Sequence, residues 1–257
     1  MEFVFGQFKP WALTIIVILV AAEVTWSIVE NKKVYSLKES LANLGIIAGF
    51  VLTKFLFAGY QVSIMGFAHR FGIVDFPDKP WVYVLAFVLV DFIYYWFHRA
   101  SHVWKPLWAF HVIHHSGQHM NLTTSYRLNW FSAIIGPFFF MPLVILGIDP
   151  QVIVLSYAFN LLYQFLLHTE VINKLGKLEG IIDTPSAHRV HHGSNKIYLD
   201  KNFGGVLMIW DRIFKTYEPE TEKPIYGTTD GFVSYNPFKL IFHGFIDLFK
   251  GKMKYRG

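Results

Sequence analysis

Cysteine is absent from the 257 residues. That excludes disulfide staples, zinc or iron–sulfur sites built on thiolates, and covalent haem attachment. It leaves the compartment open, because a chain without thiols tolerates either redox environment. Charge is scarce as well: Asp, Glu, Lys and Arg make up 16% of the chain, where a soluble globular protein carries about 25%. No Gly-x-Gly-x-x-Gly or Walker loop occurs, and Gly204-Gly205 is an isolated pair, so nucleotide-binding classes lack their motif. What is abundant is apolar: 53% of residues are hydrophobic and 18% aromatic, and the mean hydropathy is +0.36. Such a chain is not disordered, and it reads as a membrane protein.

The net charge of +5 does not arise from a basic patch. Residues 1–168 carry 10 basic and 8 acidic side chains, and residues 169–257 carry 13 and 10. No nucleic-acid motif accompanies them, so no nucleic-acid partner is expected. Lys250, Lys252, Lys254 and Arg256 form the densest basic cluster, suited either to anionic headgroups or to plain solvation.

Five apolar stretches, at about 11–29, 41–68, 81–97, 131–148 and 151–167, approach the ~20 residues that cross a hydrocarbon core. The first lacks the basic start and small-residue cleavage site of a signal peptide and is read as a retained helix. Gly147-Ile148-Asp149-Pro150 makes a tight turn between the last two, giving either a spanning hairpin or a re-entrant one. Lys32, Lys33 and Lys38 between the first two stretches place that loop on the cytoplasmic side. Residues 98–127, residue 168 and all that follow then share the cytoplasmic face. The expected fold is all-α: an integral membrane bundle of about four to five spans under a cytoplasmic helical cap (98–127 and 169–257), forming one domain over 1–257. No internal repeat or low-complexity tract is visible.

Ten of the twelve histidines lie between 98 and 192, all on that face. They form His98-x₃-His102, His111-x₂-His114-His115 and His188-x₂-His191-His192, with His168 ending the fifth stretch. Residues at i, i+3 and i+4 share one helical face, so each cluster is expected to project its imidazoles together. One His-x-x-His-His is expected roughly 0.03 times by chance at this histidine content; two copies are not accidental. Nine imidazoles exceed the shell of one metal, and two metals with four or five each fit best. Imidazole suits zinc, copper, iron and nickel alike, so spacing does not choose among them. His69 and His243, outside the clusters, read as structural.

The three clusters, with Asn121-Leu-Thr-Thr, Tyr163-Gln-Phe-Leu-Leu-His168-Thr-Glu, Thr184-Pro-Ser-Ala-His188-Arg-Val-His-His-Gly, Asp200-Lys-Asn and Ile209-Trp-Asp-Arg-Ile-Phe, resemble the fatty acid hydroxylase/sterol desaturase superfamily, on its glyceryl-ether-cleaving branch. The resemblance covers about residues 80–230. It implies a membrane non-haem di-iron monooxygenase acting on a lipid C–H bond, with His98, His102, His111, His114, His115, His168, His188, His191 and His192 holding two iron ions. It further implies O2, a membrane lipid substrate and an external electron donor, of tetrahydrobiopterin or redox-protein type. The membrane is then the bacterial inner membrane or endoplasmic reticulum. The alternatives are a sterol, carotenoid or aminolipid desaturase or hydroxylase of the same superfamily, and a membrane metal-binding or transport protein. Transport sites sit near mid-membrane on broken helices, whereas these histidines sit at span ends. The oligomeric state is open.

Further residues are candidates around that centre. Many lipid hydroxylases of the superfamily have a histidine where this chain has Gln164, which is then a ligand amide or a support for one. His119 follows His115 by one turn and is a ligand or a pocket residue. Asp91 shares a helical face with His98 and His102; it either receives an imidazole hydrogen bond or contacts another span. Glu170, Asp183 and Asp211 are further supporting carboxylates, although Asp183 also reads as a helix N-cap before Pro185. Arg127, Arg189 and Arg212 either hold a lipid phosphate or pair within the cap. Glu23 is expected to pair with Lys54 or face headgroups.

Overall fold

The computed structural model describes residues 10–253, which leaves Lys254 and Arg256 of the basic tail outside the described residues. The helices are α1 (Pro10–Val29), α2 (Leu37–Leu56), α3 (Ala58–His69), α4 (Pro80–Val103), α5 (Lys105–His115), α6 (Ser132–Leu146), α7 (Pro150–Leu167), α8 (Pro185–His192), α9 (Ile209–Ile213) and α10 (Pro237–Phe249). Pro opens α4, α7, α8 and α10, where its missing N–H costs nothing and its fixed φ suits the first turn. Among the described residues there are no strands, only two isolated bridges. The all-α expectation holds.

Among the described residues three helices, α2, α4 and α7, are long and apolar enough to cross a membrane. The apolar stretches of α1 and α6 are shorter, at Leu13–Val29 and Ser132–Leu146. The 41–68 stretch is not one helix: the chain breaks at Phe57 between α2 and α3. Proline chemistry on a neighbour accounts for what anchors the break. Pro137 lies inside α6 and has no N–H to give Ala133 O, its i−4 carbonyl. Gln61 Nε2, in the first turn of α3, donates to that carbonyl at 3.2 Å, and Tyr60 Oη donates to Ile134 O at 3.0 Å.

The bundle core is formed where α3, α4, α6 and α7 meet, by Met65, Ala68, Ala86, Val90, Phe140, Leu143, Val144, Ile148 and Ile153. At one end of it, α6 turns into α7 through Gly147 at φ +114°. A side chain there would collide with the Val74 carbonyl. The 70–79 connection is pinned to the same end by Ile73 N to Ile145 O (2.9 Å) and Val74 N to Leu146 O (3.1 Å). The C-terminal ends of α4 and α7, carrying His98, His102 and His168, therefore point to the opposite end, where the cap sits. Its two parts join there: α5 and α10 enclose Ile113, Leu240 and Ile241 with Ala42 and Ile46 of α2.

Candidate metal centre

At the cap end the nine histidines separate into two groups. His98, His102, His111, His115 and His191 form one, and His114, His168, His188 and His192 the other, each with ligand nitrogens within 4.8 Å of one another. The partition crosses the motifs. His111 and His115, one turn apart on α5, enter the first group while His114 enters the second. On α8 the exchange is reversed: His188 and His192 enter the second group and His191 the first. Each His-x-x-His-His thus serves both groups rather than projecting three rings into one. Rings of the two groups meet along a seam, with centroids 4.5 Å apart for His115–His192 and 5.3 Å for His111–His114.

Local sequence explains the presentation. α8 is an eight-residue helix started by Thr184, whose Oγ1 accepts from Ala187 N at 3.1 Å, with Pro185 at its first position. The N-cap is therefore Thr184 and not Asp183. The Asp183 carboxylate instead lies 3.1 Å from His188 Nδ1. His168 caps the C-terminus of α7, and its Nδ1 donates to Gln164 O at 2.8 Å. In the other group His98 Nδ1 donates to Phe203 O (2.9 Å) and His191 Nδ1 to Lys201 O (3.0 Å). His102 Nδ1 lies 3.5 Å from Asp200 Oδ1.

These partners decide tautomers. A carbonyl only accepts, so the neutral rings of His98, His168 and His191 carry their proton on Nδ1 and a lone pair on Nε2. The Nε2 atoms crowd together: His98 and His111 at 3.1 Å, His111 and His115 at 3.0 Å, His168 and His188 at 3.1 Å, His168 and His114 at 3.3 Å. His192 Nε2 is buried without a hydrogen-bond partner. Protons do not easily relieve the crowding, because burial pushes the pKa values of His114, His168, His188 and His192 well below the usual imidazole range. A metal with nitrogen bonds of about 2.1 Å holds neighbouring ligand atoms about 3.0–3.4 Å apart. Converging nitrogens at that spacing fit a cation in each group.

The other candidates are placed as follows. Asp91 touches no histidine: its carboxylate accepts from Asn160 Nδ2 (2.7 Å), Val206 N (2.8 Å), Leu207 N (3.2 Å) and Trp210 Nε1 (2.9 Å), so of its two readings the contact with another span is the one seen. The Gln164 side chain accepts from Tyr94 Oη at 2.8 Å and donates to Asn160 Oδ1; it is the backbone of Gln164, not its amide, that reaches an imidazole. His119 turns to Glu39 Oε2 at 2.7 Å, away from both groups. Asp211 accepts from Phe203 N and Gly204 N at 2.8 and 2.7 Å. Glu170 lines a surface cleft with Arg189, Glu220 and Tyr226, outside both groups.

Of the arginines, Arg127 is 1% exposed and donates to Ile113 O, Asn43 Oδ1 and Ser116 Oγ, which takes it out of reach of a headgroup. Arg189 pairs bidentately with Glu220 and donates to Thr169 O and Ile172 O. Arg212 lies over the Tyr217 ring and donates to Glu179 O. Glu23 does not pair with Lys54. At 4% exposure it accepts from Tyr35 Oη (2.5 Å), Leu122 N (2.8 Å) and Thr169 Oγ1, tying α1 to the residue after His168. Sequence reasoning missed Asp200, Glu39 and Asn160 as well as every carbonyl partner; only Asp200 sat in a motif that could have drawn attention to it.

Known proteins show similarity to this chain. The family described as fatty acid hydroxylase matches residues 83–216, which include all nine clustered histidines. The alkylglycerol monooxygenase of Homo sapiens is 50% identical over 166 residues, 65% of this chain and 37% of that protein. The one of Xenopus tropicalis is 44% identical over 186 residues, 72% of this chain and 42% of that protein. An ornithine lipid hydroxylase of Rhizobium tropici is 31% identical over 138 residues, 52% of this chain and 41% of that protein. The chain thus spans less than half the length of these relatives. No solved structure matches it.

Proposed function

The chain belongs to the fatty acid hydroxylase family, and on that premise we propose that it is a membrane lipid monooxygenase with an iron ion in each histidine group, cleaving the alkyl ether bond of glyceryl lipids. The observation that carries this is the convergence of Nε2 atoms in two adjoining histidine groups. The similarity to alkylglycerol monooxygenases supports the substrate class. Bound there, iron would supply the O2 and one-electron chemistry that no side chain of this protein offers.

The residues themselves provide position and dryness. α4 and α7 deliver His98, His102 and His168 to one end of the spans, where an alkyl chain in the bilayer reaches them while its headgroup stays at the interface. His102, His115, His168, His188, His191 and His192 are at most 3% exposed, which keeps bulk water from the reacting carbon. Overall, one O2, two electrons and two protons convert a C–H into C–OH and water. On the carbon beside the ether oxygen, the new hydroxyl makes a hemiacetal, which collapses to an aldehyde and the free glycerol hydroxyl. Without a cysteine or nucleotide motif in the sequence, the electrons come from an external donor of tetrahydrobiopterin or redox-protein type.

We read the chain as one membrane-embedded unit with the site on the cytoplasmic side. In support, the loop bearing Lys32 and Lys33 lies at the site's end: Asn121 Nδ2 donates to Val34 O at 2.7 Å, and the positive-inside rule assigns such a loop to the cytoplasm. The test is turnover of a 1-O-alkylglycerol by the purified full chain with iron, a reductant and ¹⁸O2. Release of fatty aldehyde carrying one ¹⁸O is expected; a protein that binds no iron, or product formed without O2, overturns the reading.

A further inference from the structure

Residues 200–203 do something no histidine motif announces. Within four residues the segment accepts from Nδ1 of two of the five imidazoles in one group, Lys201 O for His191 at 3.0 Å and Phe203 O for His98 at 2.9 Å, and sets Asp200 Oδ1 3.5 Å from Nδ1 of a third, His102. The Phe203 ring packs against the same three rings, with centroids 5.1–6.1 Å away. The backbone is left-handed at alternate residues, Asp200 (φ +55°) and Asn202 (φ +58°), a conformation that Asn and Asp tolerate better than other side chains do.

The segment is tied down from behind. Asn202 donates to Ala187 O and Glu218 O and accepts from Glu218 N, and its own N–H goes to Thr216 O at 3.0 Å. Asp211 takes the N–H groups of Phe203 and Gly204 on separate oxygens. Asp91, from inside α4, takes those of Val206 and Leu207. In the four-histidine group His168 Nδ1 goes instead to Gln164 O and His188 Nδ1 to Asp183, which meets the segment only through its own N–H on Val206 O at 2.8 Å.

We propose that Asp200–Phe203 is a positioning strap, anchored by Asp211 and Asp91, that holds His98, His102 and His191 for Nε2 ligation and so sets metal retention in the five-histidine group separately from the four-histidine group. This rests on the reading that both groups bind metal. Ligand orientation by outer partners is worth about 10–100-fold in metal affinity.

The test is cobalt(II) titration of the purified full chain, following its visible d–d bands, which report coordination at each site. The wild type is expected to fill two sites. In Asp211→Asn, the new amide points an N–H at the Gly204 N–H, so the strap is expelled; one binding phase should weaken about 10–100-fold with its bands altered, and the other should stay unchanged. Asp200→Asn, at a side chain 34% exposed where misfolding is not expected, should shift the same phase by less. Asp183→Ala should weaken the other phase. Both phases moving together in the strap variants, or neither moving, overturns the strap while leaving two metal sites standing. A wild-type chain that takes up fewer than two cobalt ions removes the two-site reading itself, and the strap with it.

Discussion

The two histidine groups draw on the same pair of His-x-x-His-His motifs, yet they are held by different kinds of structure. The four-histidine group is oriented from helices: His168 by the last turn of α7, His188 by a carboxylate just before α8. The five-histidine group is oriented largely by an irregular strap whose own backbone is held by buried carboxylates. A helix end keeps its geometry wherever the helix forms, whereas a strap keeps its geometry only while its anchors remain in place. The two sites should therefore fail in different ways.

The largest effect expected is loss of a ligand. His191→Ala and His188→Ala should each bring lipid turnover to background, while iron content falls from two per chain towards one, with a different site emptied in each. Iron analysis beside an activity assay checks this; loss of both metals in either variant would break the separation. Next comes pH. In chelated protein, burial keeps His114, His168, His188 and His192 neutral below the usual imidazole pKa. Between those lowered values and about pH 6.5, the unfolded chain binds protons that the folded one refuses. Stability should thus fall as pH drops below about 6.5, by up to about 1.4 kcal/mol per group per pH unit. Thermal melts between pH 7.5 and 5 measure it, and a flat profile would contradict the buried neutral group.

Gly205→Ala sharpens the comparison from the strap side. An added Cβ would lie 2.5 Å from Asn160 Nδ2 and 2.8 Å from Tyr94 Cδ1, atoms whose side chains are already hydrogen-bonded. A loss of about 1–3 kcal/mol is expected, read as a lowered melting temperature, while Gly136→Ala, which meets nothing within 4 Å, should lose none of that. The smallest effect belongs to His119, away from both groups. The Glu39 hydrogen bond raises its pKa, so the pair's contribution is complete below about pH 6.5 and disappears as pH rises through the raised value. At a side chain 31% exposed, it is worth under about 1 kcal/mol. The stability gap between wild type and His119→Gln should close from pH 6 to pH 9; a constant gap would mean that packing, not charge, holds the loop.

Much of this was legible beforehand, and the exceptions share one cause. The stretches at 81–97 and 151–167 became α4 and α7 because long apolar runs have one good solution in a membrane, a helix that satisfies its own backbone. The break at Phe57 was not legible, because it is anchored by a carbonyl that Pro137 frees about 76 residues later on another helix. Asp91 shared a helical face with His98, but four donors from α7 and the 206–210 segment claimed its carboxylate. His119 sat one turn past His115, where a ligand would sit, and Glu39 drew it elsewhere.

The sequence by itself determined that this chain is helical, apolar and supplied with eight imidazoles in three clusters and a ninth, His168, at the end of an apolar stretch, because composition and i, i+3, i+4 spacing are local properties. Only the tertiary structure decided which ring serves which group, and through which nitrogen. Those choices depend on the crossing of α5 and α8 and on carbonyls of Gln164, Lys201 and Phe203. A carbonyl is present at every residue, so no side-chain pattern marks the few that hold the site.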